Sequence, residues 1–345
     1  MRNILCVTLI ALLGGCTSTS VTEKYQDKRN DIINVKDKVI EFETGNVLIG
    51  SVSRLYMSNK CLLIADHKSV DKQIHIFNKN DFSYLTSIGN FGEGPEEITV
   101  MGCLAIDEAH HQLYVSDHAK QKIFSYDMDS VMVDSLYKPQ VKTAMNETLF
   151  PSEYQYINDT LSIAVLIKPT STSTFNQFLG RWNMNTGEMI PMKYTHPDIQ
   201  KKRITFAASE KAGIYVECYT RHDLMTICSL DGELLYNIYG PDWDGGNGNK
   251  LQSFGTVMIG NDKIFVSYCG EDYARDSFPT KILVFDLEGN YLKTLETGYK
   301  ISDCCYDSFN NRIILSLNDV VQFAYLDIDL SLIHISEPTR HAQIS

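Results

Sequence analysis

The sequence has little positive charge for its length. Its 345 residues include 31 Lys and Arg against 43 Asp and Glu, which gives a net charge of −12 at pH 7. A nucleic-acid partner would require a basic surface that displaces counterions from phosphates, so this balance argues against one. Helical hydrophobic periodicity, long linkers and low-complexity blocks are lacking as well. An all-helical or multidomain chain is therefore not expected.

Patterns typical of cofactor and metal sites are also missing. No Cys spacing matches a zinc site. Two Gly-rich stretches, residues 89–97 and 240–249, do not follow the order of strand, loop and helix that cradles phosphate. The second stretch also lacks the ligand spacing of a calcium loop. The sequence therefore predicts neither a cofactor nor a metal site.

What the sequence does contain is an internal repeat of short apolar runs. Their first residues are offset by 51, 48, 53, 50 and 49 positions, an interval that chance would not keep. The six runs are residues 62–66, 113–117, 161–165, 214–218, 264–268 and 313–317.

Each repeat contains four apolar runs separated by turn residues. One run precedes each of the six, at 52–57, 102–106, 154–157, 204–208, 255–259 and 301–305. A third follows at 73–77, 122–126, 178–182, 224–230, 281–285 and 320–326, and a fourth closes the unit. Four antiparallel strands in about 50 residues bury both faces only by stacking on their neighbours. We therefore predict an all-β fold, a six-bladed β-propeller; a seven-bladed ring and a β-sandwich are the alternatives.

The N-terminal residues resemble a bacterial lipoprotein leader. Arg2 precedes an apolar run at 4–13 that is about half as long as a membrane-spanning helix, and Leu13, Gly14, Gly15 and Cys16 resemble a lipobox. This predicts a signal peptide at 1–15, lipidation of Cys16 and a polar tether at 16–38, with the lipid as the link to a membrane. An ordinary signal peptide with an incidental Cys is the alternative.

The two ends of the predicted propeller differ in character. Residues 39–44 alternate as an exposed strand does, and we expect them to pair with the last blade and close the ring. Residues 330–340 resemble the translation of an adapter used to prepare sequencing libraries, and Leu330 stands where the repeat expects Gly. The propeller is therefore predicted at 39–329 and a non-native tail at 330–345, so that a last strand or a further blade could be missing.

Seven cysteines remain after Cys6 and Cys16 are set aside, and most of them lie in apolar strand runs. Such cysteines are usually buried small hydrophobes. Cys218 and Cys228 flank a hairpin loop and are the one pair for which a disulfide is considered.

Candidate ligand-binding residues lie in loops that a propeller gathers around one mouth of its channel. Asp66 with His67 and Asp117 with His118 occupy equivalent places in successive repeats. Two imidazoles there would suit a metal or acid–base chemistry, whereas the alternative is an Asp that caps its turn beside a solvated His. A second candidate group, rich in rigid aromatic and charged side chains, comprises Tyr219, Arg221, His222, Trp243, Glu271, Asp272, Tyr273 and Arg275.

The Gly-rich segment 89–98, with the lipobox and the repeat, resembles the TolB-like six-bladed propeller lipoproteins of Bacteroidota, which are related in shape to NHL repeats. The resemblance covers residues 1 to about 329 and implies a propeller at the outer membrane, facing the periplasm or the surface. That family generally lacks an assigned activity, so the resemblance supplies no catalytic residues. We expect a scaffold that binds a protein, glycan or peptide through its loop-rich face. The alternatives are a hydrolase or lyase that uses the Asp/His pairs, and a purely structural envelope protein.

Overall fold

The computed structural model describes residues 22–134, 136–171, 173–200, 202–246, 250–275 and 277–329. The predicted signal peptide, the lipidation of Cys16 and the tail from residue 330 lie outside these residues. Six sheets form the described structure, one for each repeat of the sequence, and each contains four antiparallel strands. The prediction of a six-bladed β-propeller with four-stranded blades is therefore confirmed.

The N-terminal part of the structure contributes three short strands and one 3₁₀ turn. These are β1 (Glu23–Tyr25), β2 (Ile32–Asn34), the turn Lys36–Lys38 and β3 (Val39–Glu41).

The first three blades follow in chain order. Blade 1 consists of β4 (Ser53–Met57), β5 (Cys61–Asp66), β6 (Lys72–Asn78) and β7 (Tyr84–Asn90). Blade 2 consists of β8 (Met101–Asp107), β9 (Gln112–Asp117), β10 (Lys122–Asp127) and β11 (Gln140–Ala144), with helix α1 (Met128–Val133) before its last strand. Blade 3 consists of β12 (Phe150–Asn158), β13 (Leu161–Pro169), β14 (Phe175–Trp182) and β15 (Met189–Pro191).

The remaining blades complete the ring. Blade 4 consists of β16 (Ile204–Ser209), β17 (Ile214–Tyr219), β18 (Leu224–Ser229) and β19 (Leu234–Tyr239). Blade 5 consists of β20 (Leu251–Gly260), β21 (Lys263–Asp272), β22 (Lys281–Asp286) and β23 (Tyr291–Glu296), with a 3₁₀ turn at Tyr273–Arg275 after its second strand. Blade 6 consists of β24 (Ile301–Asp307), β25 (Arg312–Leu317), β26 (Phe323–Asp327) and, from the N-terminal part, β3.

The ring is closed by β3, as the sequence predicted. Val39 pairs with Leu326 and Glu41 with Ala324 in an antiparallel register. Blade 6 thus has its four strands, and the described residues form six blades rather than seven.

The stretch predicted as a free tether is partly incorporated into the fold, which corrects that prediction for the described residues from 22 onward. Strand β1 adds to the outer edge of blade 4, and β2 adds to the outer edge of blade 5, both in parallel. Unpaired backbone groups of an edge strand readily accept another strand. Val35, with no exposed surface, is buried with residues of blades 5 and 6. We call residues 22–41 the N-terminal segment.

The core lies between neighbouring blades rather than within any one of them. Strand β5 is buried along its whole length, because its side chains alternate between two interfaces. Leu62 and Ile64 pack toward blade 6, and Leu63 and Ala65 pack toward blade 2. This explains why the second run of each repeat is continuously apolar, as in other sheets that are covered on both faces.

The ends of the strands define two faces of the propeller. Connections from the second to the third strand, and from each outer strand to the next blade, emerge at the same end because the strands alternate in direction. We call this end the loop face. In the part of the chain that the structure describes, no helix is long and apolar enough to cross a membrane.

One prediction about an individual residue is wrong, and one open question about a cysteine pair is answered. Val320 was assigned to the third strand of the last repeat, but that strand begins at Phe323, because the backbone bond from Leu317 N to Gln322 O closes a loop between them. The considered disulfide is not formed, since Cys218 and Cys228 are both free and buried. They pack on opposite sides of blade 4, in the clusters shared with blades 5 and 3.

Candidate functional site

The first strands of all six blades surround a central channel with a volume of about 1440 Å³. Its lining mixes hydroxyl, amide and charged groups with the edges of apolar side chains. A cavity of this size that combines apolar walls with a few polar groups is the default candidate for a binding site.

Irregularities in the inner strands direct charged side chains into this channel. The register of β12 shifts between Pro151 and Glu153, and that of β24 shifts between Ile301 and Asp303. Strands β8 and β20 carry similar shifts in the half that leads to the loop face. A bulge leaves an extra residue and re-aims its side chain. The two carboxylates therefore face the channel although their neighbours follow the apolar pattern.

An ion pair spans the channel between two blades that are not neighbours. Arg54 Nη1 of blade 1 lies 2.7 Å from Glu153 Oε1 of blade 3, and the two side chains are 48% and 37% exposed. In each blade the Asp at the end of the second strand pairs with a residue of the first strand. The next residue of that first strand is Arg54 in blade 1 and Gly102 in blade 2, so the two positions are equivalent. Since Gly102 has no side chain, nothing projects from blade 2 at this position. The remaining donors of Arg54 and the second oxygen of Glu153 can meet a ligand.

Asp303 joins blade 6 to both of its neighbours at the channel wall. Its carboxylate accepts the backbone N–H of Leu55 at 2.8 Å and the hydroxyl of Thr256 at 2.7 Å. Burial raises the pKa of Asp303 above its usual value, and these two donors, together with the nearby Arg54, partly oppose the shift. Asp303 thus fixes the inner strands of blades 1 and 5 at the channel wall.

The predicted Asp66/His67 pair is split between two tasks. Asp66 caps loops, because its carboxylate accepts the N–H groups of Gly50 at 2.7 Å and Lys68 at 2.9 Å. His67 lines the channel, and burial, followed by the charge of Arg54, lowers its pKa. Its Nε2 has no hydrogen-bond partner among the described residues.

The second predicted pair, Asp117 and His118, behaves in the same way. Asp117 accepts the N–H groups of Thr99 at 2.8 Å and Ala119 at 3.0 Å. His118 packs on Gly102, where a Cβ would lie only 2.5 Å from its Nε2, and burial lowers its pKa. Both aspartates are therefore turn caps, as in the alternative interpretation, and both histidines are half-buried and line the channel. In the described residues, neither carboxylate makes the hydrogen bond to the neighbouring imidazole that an acid–base pair would require.

The second predicted group separates into a buried part and an exposed part. Tyr219 has no exposed surface, and its hydroxyl donates to the buried carboxylate of Glu217 at 3.1 Å. His222 is 7% exposed and faces the ring of Trp243 at 6.0 Å between centroids. Burial lowers the pKa of His222. Tyr219 and His222 thus belong to the packing of blade 4 rather than to a ligand surface.

The other members of that group, apart from Trp243, lie at the loop face of blades 4 and 5. The guanidinium of Arg221 lies 3.5 Å from the ring centroid of Tyr273, a cation–π contact. Glu271 and Arg275 form an exposed ion pair at 3.1 Å, and Asp272 accepts the N–H of Ala274 at 2.9 Å. These groups satisfy one another and do not converge on the channel.

A group with metal-ligating atoms lies at the opposite face, between blades 2 and 3. Ligand atoms of Asp107, His110 and Asp159 lie within 4.8 Å of one another. Asp107 caps its own turn by accepting the N–H of His110 at 3.1 Å. The equivalent Asp307 of blade 6 caps its turn in the same way. The geometry at Asp107 is therefore accounted for by the repeat itself.

Sequence reasoning missed three charged residues of the channel, namely Arg54, Glu153 and Asp303. Arg54 and Asp303 lie within inner-strand runs that we treated as apolar, and Glu153 directly precedes such a run. A charged residue that interrupts a buried-strand pattern was the available signal, because such residues are rarely fully buried without a partner.

The fold agrees with comparisons to known proteins. Residues 18–176 match the family described as DUF5128: 6-bladed beta-propeller, which covers less than half of the chain. No curated protein matches the sequence.

Three solved structures share the architecture at low identity. A Bacteroides vulgatus member of the duf4221 family superposes with a TM-score of 0.61 at 11% identity, covering 88% of this chain and 99% of its own. A Bacteroides fragilis protein described as exported gives 0.55 at 14% identity, covering 85% and 87%. The β-propeller domain of Cps50 (Swd1) from Myceliophteria thermophila gives 0.53 at 9% identity, covering 84% and 100%. At such identities the likeness concerns the fold alone.

Proposed function

We propose that the protein is an exported, lipid-anchored β-propeller of the cell envelope that binds its ligand without chemical conversion, at the loop face and in the channel beneath it. The lipobox-like residues up to Cys16 support the anchor, and the description of the Bacteroides fragilis structure as an exported protein supports export. The outer membrane is the expected location, with the propeller on its periplasmic or outer side.

The observation that carries the binding function is the Arg54–Glu153 pair in the channel. Its two charged groups remain partly exposed inside a cavity of about 1440 Å³, and each has hydrogen-bonding atoms beyond the Nη1–Oε1 contact. A pair held only for stability gains little at this exposure. Groups that can exchange one hydrogen-bond partner for a ligand are what recognition requires. The hydrolase or lyase alternative has no comparable observation, because the aspartates of the Asp/His pairs accept backbone N–H groups in turns instead of pairing with the imidazoles.

The test combines neutralisation of this pair with a matched control. Arg54→Met with Glu153→Gln removes the charges of this pair, whereas Arg181→Met with Asp231→Asn removes an exposed pair between blades 3 and 4. We would measure thermal shifts of the full-length chain with peptidoglycan fragments, neutral glycans and peptides. A ligand that raises the melting temperature of the parent and of the control, but not of the channel variant, is expected.

Two results would count against the proposal. If the channel variant retains the full ligand-induced shift in melting temperature, the channel does not take part in binding. If no ligand in the screen shifts the melting temperature of the parent, the proposed binding function is contradicted. Lipidation is tested separately by labelling with palmitate in a bacterial host, where Cys16→Ala should lose the label.

A further inference from the structure

The loop face carries a set of exposed apolar side chains over blades 6, 1 and 2. Their exposed fractions run from 45% for Phe91 to 99% for Val320. Single exposed apolar residues are ordinary, but a contiguous group marks an interaction site. We call the set the apolar crescent, and it consists of Leu48, Val52, Val70, Phe91, Val100 and Val320.

Hydrogen bonds join the blade 6 and blade 1 parts of the apolar crescent. Gln322 Nε2 donates to the carbonyl oxygen of Ile49 at 2.9 Å. Val320 lies two residues before Gln322, and Leu48 directly precedes Ile49. The two most exposed members of the crescent therefore sit on loops that are bonded to each other.

The same holds between blades 1 and 2. Phe91 N donates to Asp71 O at 2.7 Å, which places Phe91 beside the loop of Val70. Lys120 Nζ donates to Gly94 O at 2.5 Å and holds the Gly-rich loop that follows Phe91. The surface is fixed by internal bonds, so a partner would not need to order it on binding.

The apolar crescent also reaches the channel. Val52, Phe91 and Val100 are at once exposed on the loop face and part of the channel lining. A segment lying on the crescent would thus extend toward Arg54 and Glu153 at the channel mouth.

The loops that carry the apolar crescent are predominantly acidic, while Lys120 and Lys300 of adjoining loops contact them through the Lys120 Nζ to Gly94 O and Asn318 N to Lys300 O bonds. The loops that carry it, residues 43–52, 67–71, 91–100 and 318–322, contain one cation, Lys68. Their exposed acids are Glu43, Asp71, Glu93 and Asp319. Such a border attracts basic groups and repels acidic ones, and it also disfavours an anionic lipid surface.

We propose that the apolar crescent docks a polypeptide segment of a partner protein, in which apolar side chains are flanked by Lys or Arg. This inference rests on the proposed function, because it assigns a partner class to the same face. Apolar side chains would cover the crescent, and the flanking cations would meet the acidic border.

Labelled peptides of equal length test the partner class directly. One has a central block of Val, Leu and Phe flanked by Lys, the second has the same block flanked by Glu, and the third has a Ser block flanked by Lys. Fluorescence polarisation with the full-length protein should show that the first binds at least about tenfold more tightly than the other two. Val70→Asp with Val320→Asp should weaken that binding by about tenfold or more.

A control and a second ligand class make the result decisive. Val133→Asp, on α1 and 87% exposed, lies away from the loop face and should leave binding unchanged. Equal binding of the three peptides, or equal weakening by Val133→Asp, overturns the inference. So does binding to vesicles of phosphatidylethanolamine and phosphatidylglycerol that depends on Val70 and Val320. If the peptides fail while a glycan binds through Arg54 and Glu153, only this inference falls; if neither binds, the proposed function falls as well.

Discussion

The loop face has two halves. The exposed side chains of one half pair with or stack on other groups of the protein, whereas those of the other half remain available at the surface. Over blades 4 and 5, Arg221 stacks on Tyr273, Glu271 pairs with Arg275, and the N-terminal segment covers the outer edges. Over blades 6, 1 and 2, the apolar crescent is exposed. The more conspicuous group in the sequence was the charged and aromatic one, yet its members largely contact one another. Residue types that suit binding indicate a site only when the fold leaves them available.

The largest effect is expected where the N-terminal segment joins the blade 4 and 5 half. Arg29 Nη1 lies 2.6 Å from Asp223 Oδ1, and the two side chains are 6% and 0% exposed. Arg29→Ala leaves a buried carboxylate unpaired, which should lower the free energy of unfolding by about 3–5 kcal/mol. Urea unfolding measures the loss. Arg54→Ala is the control, because its pair is partly exposed; a similar loss in both variants would contradict the distinction.

Acid should destabilise both halves in the same direction. Burial lowers the pKa of His67 and His118 near the crescent and of His196 and His222 in the other half. At a pH below the ordinary His pKa of 6.5, these histidines bind more protons in the unfolded chain than in the folded chain. The free energy of unfolding therefore falls as the pH falls.

Melting temperatures measured on either side of that value test this expectation. Replacing His67 and His118 with Gln should flatten the pH dependence, and the double replacement of His196 and His222 should do the same. If only one double variant has an effect, the two halves differ in their internal electrostatics as well as in their surfaces.

Glu153→Gln should have a small effect on stability and a larger one on recognition. The Arg54–Glu153 pair is partly exposed, so its loss should change the free energy of unfolding by about 1 kcal/mol or less. Calorimetry of the variant measures this. A loss as large as that of Arg29→Ala would indicate that the pair is structural and would weaken the case for a binding channel.

The smallest effect is expected in the apolar crescent itself. Val70 is 82% and Val320 is 99% exposed, so replacing them with Asp should change the free energy of unfolding by less than about 0.5 kcal/mol. Urea unfolding of each variant checks this. A marked destabilisation would show that these side chains support their loops, and the contrast between the two halves would disappear.

The architecture could be predicted because repetition is a long-range signal. A four-run pattern recurring six times fixes the blades, and the alternation of residues 39–44 identified the closing strand. Val320 was misassigned because a pair of β-branched residues in a loop resembles the start of a strand. The backbone hydrogen bond from Leu317 to Gln322 shows that the pair lies in a loop.

The added strands and the channel site could not be predicted in the same way. Strands β1 and β2 pair through their backbones with the edges of blades 4 and 5, and backbone pairing leaves little trace in side-chain periodicity. The channel residues depend on bulges, which shift one side chain without changing the apolar pattern around it. Arg54 and Glu153 also belong to blades 1 and 3, which have blade 2 between them, so no local sequence pattern relates the two residues.

The N-terminal segment has a mechanical consequence. Its attachments follow one another in series: β1 on blade 4, Arg29 on Asp223, β2 on blade 5, and only then β3, which closes the ring. A pull applied ahead of Thr22 is borne first by β1 and then by the buried ion pair. Tension must peel these contacts one after another before it reaches the closing strand, so the ring is shielded from the force that its own N-terminus transmits.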